Sequence, residues 1–183
     1  MAEDMCIVQY GNKADDHYSQ GEFDMLLIIE GLSMCFLMLL VCVIEIADGP
    51  VGGVHFYEKE VQERTVELGL ITKEKIKKNY AISGICLFVP LLVFVPAMVY
   101  FVNGARGFKE SFIQILVIMM IEGLFDRIFI DWFWVGRTKA WMIPGTEDLM
   151  PYVPKKTLKR KWIGTLVLFP VLASIMAGIL SLF

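Results

Sequence analysis

At 183 residues, 56% of them hydrophobic and with a mean hydropathy of +0.59, the chain is more apolar than a water-soluble domain of its size. Its net charge of −3 argues against nucleic acid as a partner, because it offers no basic field to engage phosphates. The four cysteines (Cys6, Cys35, Cys42, Cys86) form no CxxC pair, so neither a disulfide framework nor a zinc site is expected.

The acidic amino-terminal segment carries Lys13 and His17 and lacks the basic region of a cleavable signal peptide. His17 reads as a solvated tail histidine. The first apolar run is therefore expected to stay as a membrane span. Crossing a bilayer takes about 20 residues at 1.5 Å each, and four runs are long enough: 25–47, 81–102, 112–135 and 162–182. The expected fold is all-α, a single integral membrane domain built as a four-helix bundle. Pro90, Pro96 and Pro170 are expected to bend the second and fourth spans. Ala173/Ala177 and Ser174/Gly178, at spacing four, suit close helix contact within the chain or between subunits.

Lys and Arg are distributed unevenly: one before the first span, six in loop 48–80, two in 103–111, seven in loop 136–161 and one (Arg127) inside a span. The positive-inside rule then places both termini outside the cell membrane and the two long loops in the cytosol. Trp132, Trp134, Trp141 and Trp162 flank or occupy the last loop, as an inner-interface aromatic belt would.

Loop 48–80 reads as helical: one helix over about 57–68, a turn at Gly69, and a second helix capped by Thr72 that leads into span two. Its mixed charges suit a solvated face or a partner-binding surface. Loop 136–161 has a Pro-Gly turn, "IPGTED", and a basic cluster, "PKKTLKRK", suited to anionic lipid headgroups.

The third span poses the energetic problem. Its 14 Leu, Ile, Phe and Val residues favour insertion by about 4–8 kcal/mol. Glu122, Asp126, Arg127 and Asp131 oppose it by roughly 2.5–3.5 kcal/mol each at mid-bilayer. The sums are comparable, so the charges need partners, water or neutralisation. On an α-helix Glu122 and Asp126 share one face and Arg127 and Asp131 another, about 100° away. Glu45 and Asp48 reach the same depth at the end of span one, with His55 beyond the "GPVGG" turn. If spans one and three are neighbours, these residues surround one inner-leaflet cavity. Glu30, in the outer part of span one, stands apart. A purely structural account has Arg127 pair with Asp131 and the other acids bind polar groups on neighbouring helices.

Three functions suit this pattern. The first is a protein that binds or helps transport a small polar or cationic species, with Glu122, Asp126, Arg127, Asp131, Glu45 and Asp48 as the site. The second is an enzyme acting on a lipid or isoprenoid headgroup. It would use a divalent cation as cofactor, held by metal ligands drawn from Glu45, Asp48, His55, Asp126 and Asp131. The third is an accessory subunit of a larger membrane complex, or a homo-oligomer. HExxH, GxSxG, P-loop and GxGxxG motifs are all absent from the sequence.

The stretch from Phe125 to Lys156, "FDRIFIDWFWVGRTKAWMIPGTEDLMPYVPKK", contains "IDWFW", "TK", "GTED" and "PKK" in order. It resembles a recurring pattern in small bacterial four-span membrane proteins without an established activity. The resemblance covers under a fifth of the chain. It implies a fold class and a bacterial setting but no mechanism, and it groups Asp131, Thr138, Lys139 and the 145–148 turn at the inner interface.

Overall fold

A computed structural model describes residues 2–183, with side chains from residue 24 onward; the expectations for Cys6, Lys13 and His17 lie outside the described side chains. Among the described residues the chain is all-helical, with no strand. Helix α1 spans Ala2–Ile46. A 3₁₀ segment, Pro50–Phe56, then leads to the short helix α2, Lys59–Glu67. Two Schellman bonds end α2, from Gly69 N to Val66 O at 2.9 Å and from Leu70 N to Thr65 O at 3.1 Å, with Gly69 at a φ of 70°. Helix α3 follows over Lys73–Val102. Thr72 caps it as expected, its hydroxyl accepting from Lys75 N at 3.3 Å.

The lower part of α3 is α-helical, but Pro90–Phe94 and Met98–Val102 wind as π-helix. Pro90 and Pro96 explain this locally: each lacks an N–H and its ring clashes with the carbonyl four residues back, so the backbone widens to i→i+5 bonding. Helix α4 runs α-helically over Phe108–Phe125 and continues as π-helix over Asp126–Val135. Helix α5, Lys155–Leu180, begins seven residues before the apolar run and absorbs Pro170.

Three segments are long and apolar enough to cross a membrane: Asp24–Ile46, Lys73–Val102 and Lys155–Leu180. Their outer faces are apolar and bare, with Ile28, Phe36 and Ile44 on α1, Phe88 and Phe101 on α3, and Val167 and Ile175 on α5 all exposed. A water-soluble monomer rarely shows contiguous apolar surface on this scale. Helix α4 packs against both α1 and α5. Its Ile115, Ile118, Met119, Glu122 and Gly123 are buried, so the helix that carries Glu122, Asp126, Arg127 and Asp131 lies between the other two. Gly123 permits the α5 contact, because a Cβ there would meet Phe169 Cε2 at 2.6 Å and Thr165 Cγ2 at 2.8 Å. Ala173 and Ala177 are fully buried within this core, which resolves their spacing as a contact inside the chain.

The two long loops fold together into a packed cap over one end of the long helices. Val54, Tyr57, Val61, Trp141, Ile143 and Tyr152 form its core. Trp141 is 1% exposed, so it does not belong to an interfacial belt; the loop is long enough to bury it against Tyr57 and Trp134. The Gly52-Gly53 step lets the cap close. A Cβ on Gly52 would sit 1.9 Å from the Glu45 carbonyl oxygen, and one on Gly53 would sit 2.5 Å from Trp141 Cζ3.

Candidate functional site

The π-wound half of α4 carries Asp126, Arg127 and Asp131. With i→i+5 bonding, residues five apart lie about one turn apart, so Asp126 and Asp131 come onto one side. An α-helix would set residues five apart about 140° from each other; the wider winding narrows that angle, and Arg127 bridges the two. The Arg127 guanidinium ion-pairs with both carboxylates and also donates from Nε to Thr165 Oγ1 on α5 at 3.2 Å. Lys161, four residues before Thr165 on α5, donates to the other Asp131 oxygen at 2.7 Å. Two acids and two bases thus balance. Asp131 is almost fully enclosed, with its side chain 5% exposed, while Lys161 is 32% exposed. Guanidinium suits this bridging position because its planar fork reaches two carboxylates at once.

Beside this network lies a cavity of about 210 Å³. Asp126, Asp131 and Lys161 supply its charged side. Phe56, Tyr57 and Trp141 of the cap form an aromatic wall, and Met38 and Cys42 of α1 complete it. At about 30 Å³ per water, the space suits several waters or a small organic molecule.

Other residues singled out in the sequence are placed elsewhere. Helices α1 and α4 are neighbours, as the shared-cavity reading required. Glu45, however, accepts a hydrogen bond from Ser83 on α3, and Asp48 is exposed; neither lines the cavity. Glu122 is buried, at 5% exposure, about one turn from Asp126, and has no hydrogen bond or ion pair among the described residues. His55 is buried rather than a loose loop histidine. Its Nδ1 lies 3.1 Å from the Gly52 carbonyl and its Nε2 has no partner. Burial lowers its pKa from the ordinary value, against the opposing pull of Glu45 and of the Gly52 carbonyl. Among the described residues no three His, Cys, Asp or Glu side chains are grouped to hold a metal ion. Glu45, Asp48, His55, Asp126 and Asp131 do not converge as a ligand set.

The sequence reading missed Lys161, Thr165, Tyr57 and Trp141. For the first two a signal existed: Lys161 and Thr165 share an α-helical face at spacing four, and that face begins inside the basic cluster assigned to lipid headgroups. For Tyr57 and Trp141 there was none, because their approach depends on how two loops pack. Thr138 and Thr146 join the same cap, the first donating to Trp134 O at 2.5 Å and the second paired with Tyr152 Oη at 2.6 Å. Comparison with known protein families, curated proteins and solved structures gives no match.

Proposed function

We propose that the chain is a single-domain, multi-pass membrane protein of four spans, Phe108–Val135 joining the three membrane-length helices, with both termini outside and the cap in the cytosol. The uneven Lys and Arg distribution supports the orientation. Internal neutralisation of Asp126 and Asp131 by Arg127 and Lys161 lowers the cost of the third span in sequence order. The exposed Lys155, Lys156, Lys159 and Arg160 at the start of α5 would then lie at the inner headgroups.

In that setting the protein binds, and helps move, a small polar or cationic species through the cavity under the cap. One observation carries this reading: an aromatic wall faces an acid–base floor whose one partly exposed cation, Lys161, holds a single contact to Asp131. An incoming ammonium group competes with Lys161 for that carboxylate and gains the faces of Tyr57 and Trp141. The metal-dependent headgroup enzyme finds no matching ligand set here, and no observation favours the accessory-subunit reading.

Trp141 reports the test. In nanodiscs, a variant with Trp132, Trp134 and Trp162 changed to phenylalanine is titrated with ammonium, ethanolamine and tetramethylammonium. Saturable change in Trp141 emission is expected, lost in Asp131→Asn. In Lys161→Met it is tightened by about fivefold, the value of a partly exposed pair worth about 1 kcal/mol. No saturable response to any of the three cations, at any concentration short of salt effects, overturns the proposal.

A further inference from the structure

Charge and size together narrow the occupant of the cavity under the cap. Asp126, Asp131 and Lys161 line it, and Arg127 is paired to both carboxylates. Glu45 and Glu122 lie outside the lining. The charges of this network therefore sum to zero. A bare cation that enters against Asp131 takes the oxygen now held by Lys161 at 2.7 Å. Lys161 has no other hydrogen bond or ion pair among the described residues, so its ammonium is left without a counter-charge. With the side chain 32% exposed, water compensates only part of that loss.

An occupant that carries its own anionic oxygen removes this cost. Its ammonium replaces Lys161 on Asp131, and its anion accepts from the freed Lys161 Nζ. One ion pair becomes two, and the net charge stays at zero. Asp131 Oδ1 and Lys161 Nζ are neighbours at 2.7 Å, so the two charged groups of the occupant must be neighbours as well. An ammonium and a carboxylate attached to one carbon meet that condition; the same groups at the two ends of a long chain do not.

At about 30 Å³ per water, the cavity of about 210 Å³ holds about seven waters, and an ammonium ion replaces about one of them. Away from its charged side the cavity is apolar, with Met38, Leu87, Ile130 and Val153 beside the aromatic wall. An apolar side chain on the same carbon displaces the remaining water from these surfaces, which is favourable. Resting on the reading of the cavity as a binding site, we propose that its occupant is a zwitterion of the α-amino acid class with an aliphatic side chain.

The single-tryptophan parent in nanodiscs, with Trp141 reporting, is titrated at neutral pH with leucine, isopentylamine and 4-methylpentanoate. The amine is leucine without its carboxylate, and the acid is leucine without its ammonium. Leucine is expected to bind about tenfold more tightly than the amine, the worth of one charge-assisted hydrogen bond, and the acid more weakly than either. Lys161→Met is expected to weaken leucine about tenfold and to tighten the amine about fivefold, which reverses their order. Lys161→Arg keeps a cation in place and should keep the order. The comparison of leucine with the amine needs no variant, so it holds even if Lys161→Met does not fold. An amine that binds the parent as tightly as leucine means that the freed Lys161 turns outward to water. That result overturns the proposal and leaves the binding reading intact, as does leucine affinity unchanged in Lys161→Met. Tightest binding by 4-methylpentanoate makes the cavity an anion site and also overturns the proposal. No saturable response to leucine or to the amine overturns the binding reading and the proposal with it.

Discussion

Replacing Arg127 by leucine removes the one group that touches both Asp126 and Asp131. Asp131 keeps Lys161 at 2.7 Å, so the loss falls on Asp126, whose side chain is 22% exposed and has no other ion-pair partner among the described residues. Removing one partner of a buried pair costs about 3–5 kcal/mol; the partial exposure of Asp126 places the cost at about 3 kcal/mol. For a chain of this length that lowers Tm by roughly 6–12 °C. Arg127→Lys should cost about half as much, since a single ammonium meets one carboxylate at a time and gives up the Thr165 contact. In Arg127→Leu/Asp126→Leu the stranded carboxylate is gone, and about 1–3 kcal/mol should return as the coupling term. A thiol-reactive fluorophore follows unfolding, because Cys35 and Cys42 are buried; Cys86, which is exposed, and Cys6 are changed to serine in the parent. The reasoning is refuted if Arg127→Leu melts within 1–2 °C of the parent, or if the double variant is no more stable than the single.

Two further outcomes test the cap. Gly53→Ala drives a methyl to 2.5 Å from the Trp141 ring, so it should destabilise by about 1–3 kcal/mol and shift Trp141 emission to the red; an unchanged melt would mean that the contact is not tight. His55 is held neutral by burial, its folded pKa below the unfolded value of about 6.5. The unfolded chain therefore takes up a proton first. The contribution of His55 is complete above pH 6.5 and is lost as pH falls from there toward the folded pKa. Melting the wild type and His55→Gln from pH 8 to pH 5 should show a steeper acid loss in the wild type; parallel curves would assign no such role to His55.

Much of the helical layout was legible along the chain. Apolar runs marked the three membrane-length helices, Thr72 and Gly69 marked the boundary between α2 and α3, and Pro90 and Pro96 marked the disturbed part of α3. These are local signals, set by side-chain hydropathy, capping and the proline ring. Charges in the apolar run 112–135 likewise announced a buried ionic site before any neighbour was known.

The composition of that site was not legible. An α-helical wheel separates Asp126 from Asp131, and the π-winding that joins them follows no proline. Lys161 and Thr165 enter only because α5 packs on α4 at Gly123, and Tyr57 and Trp141, 84 residues apart, only because two loops close against each other. Glu30 remained without a role along the chain, because its partners Asn103 and Gln114 come from the ends of two other helices. Hydropathy and capping act over a few residues and can be read from any short window. Ion pairing and cavity shape act across helices, so they were decided by packing.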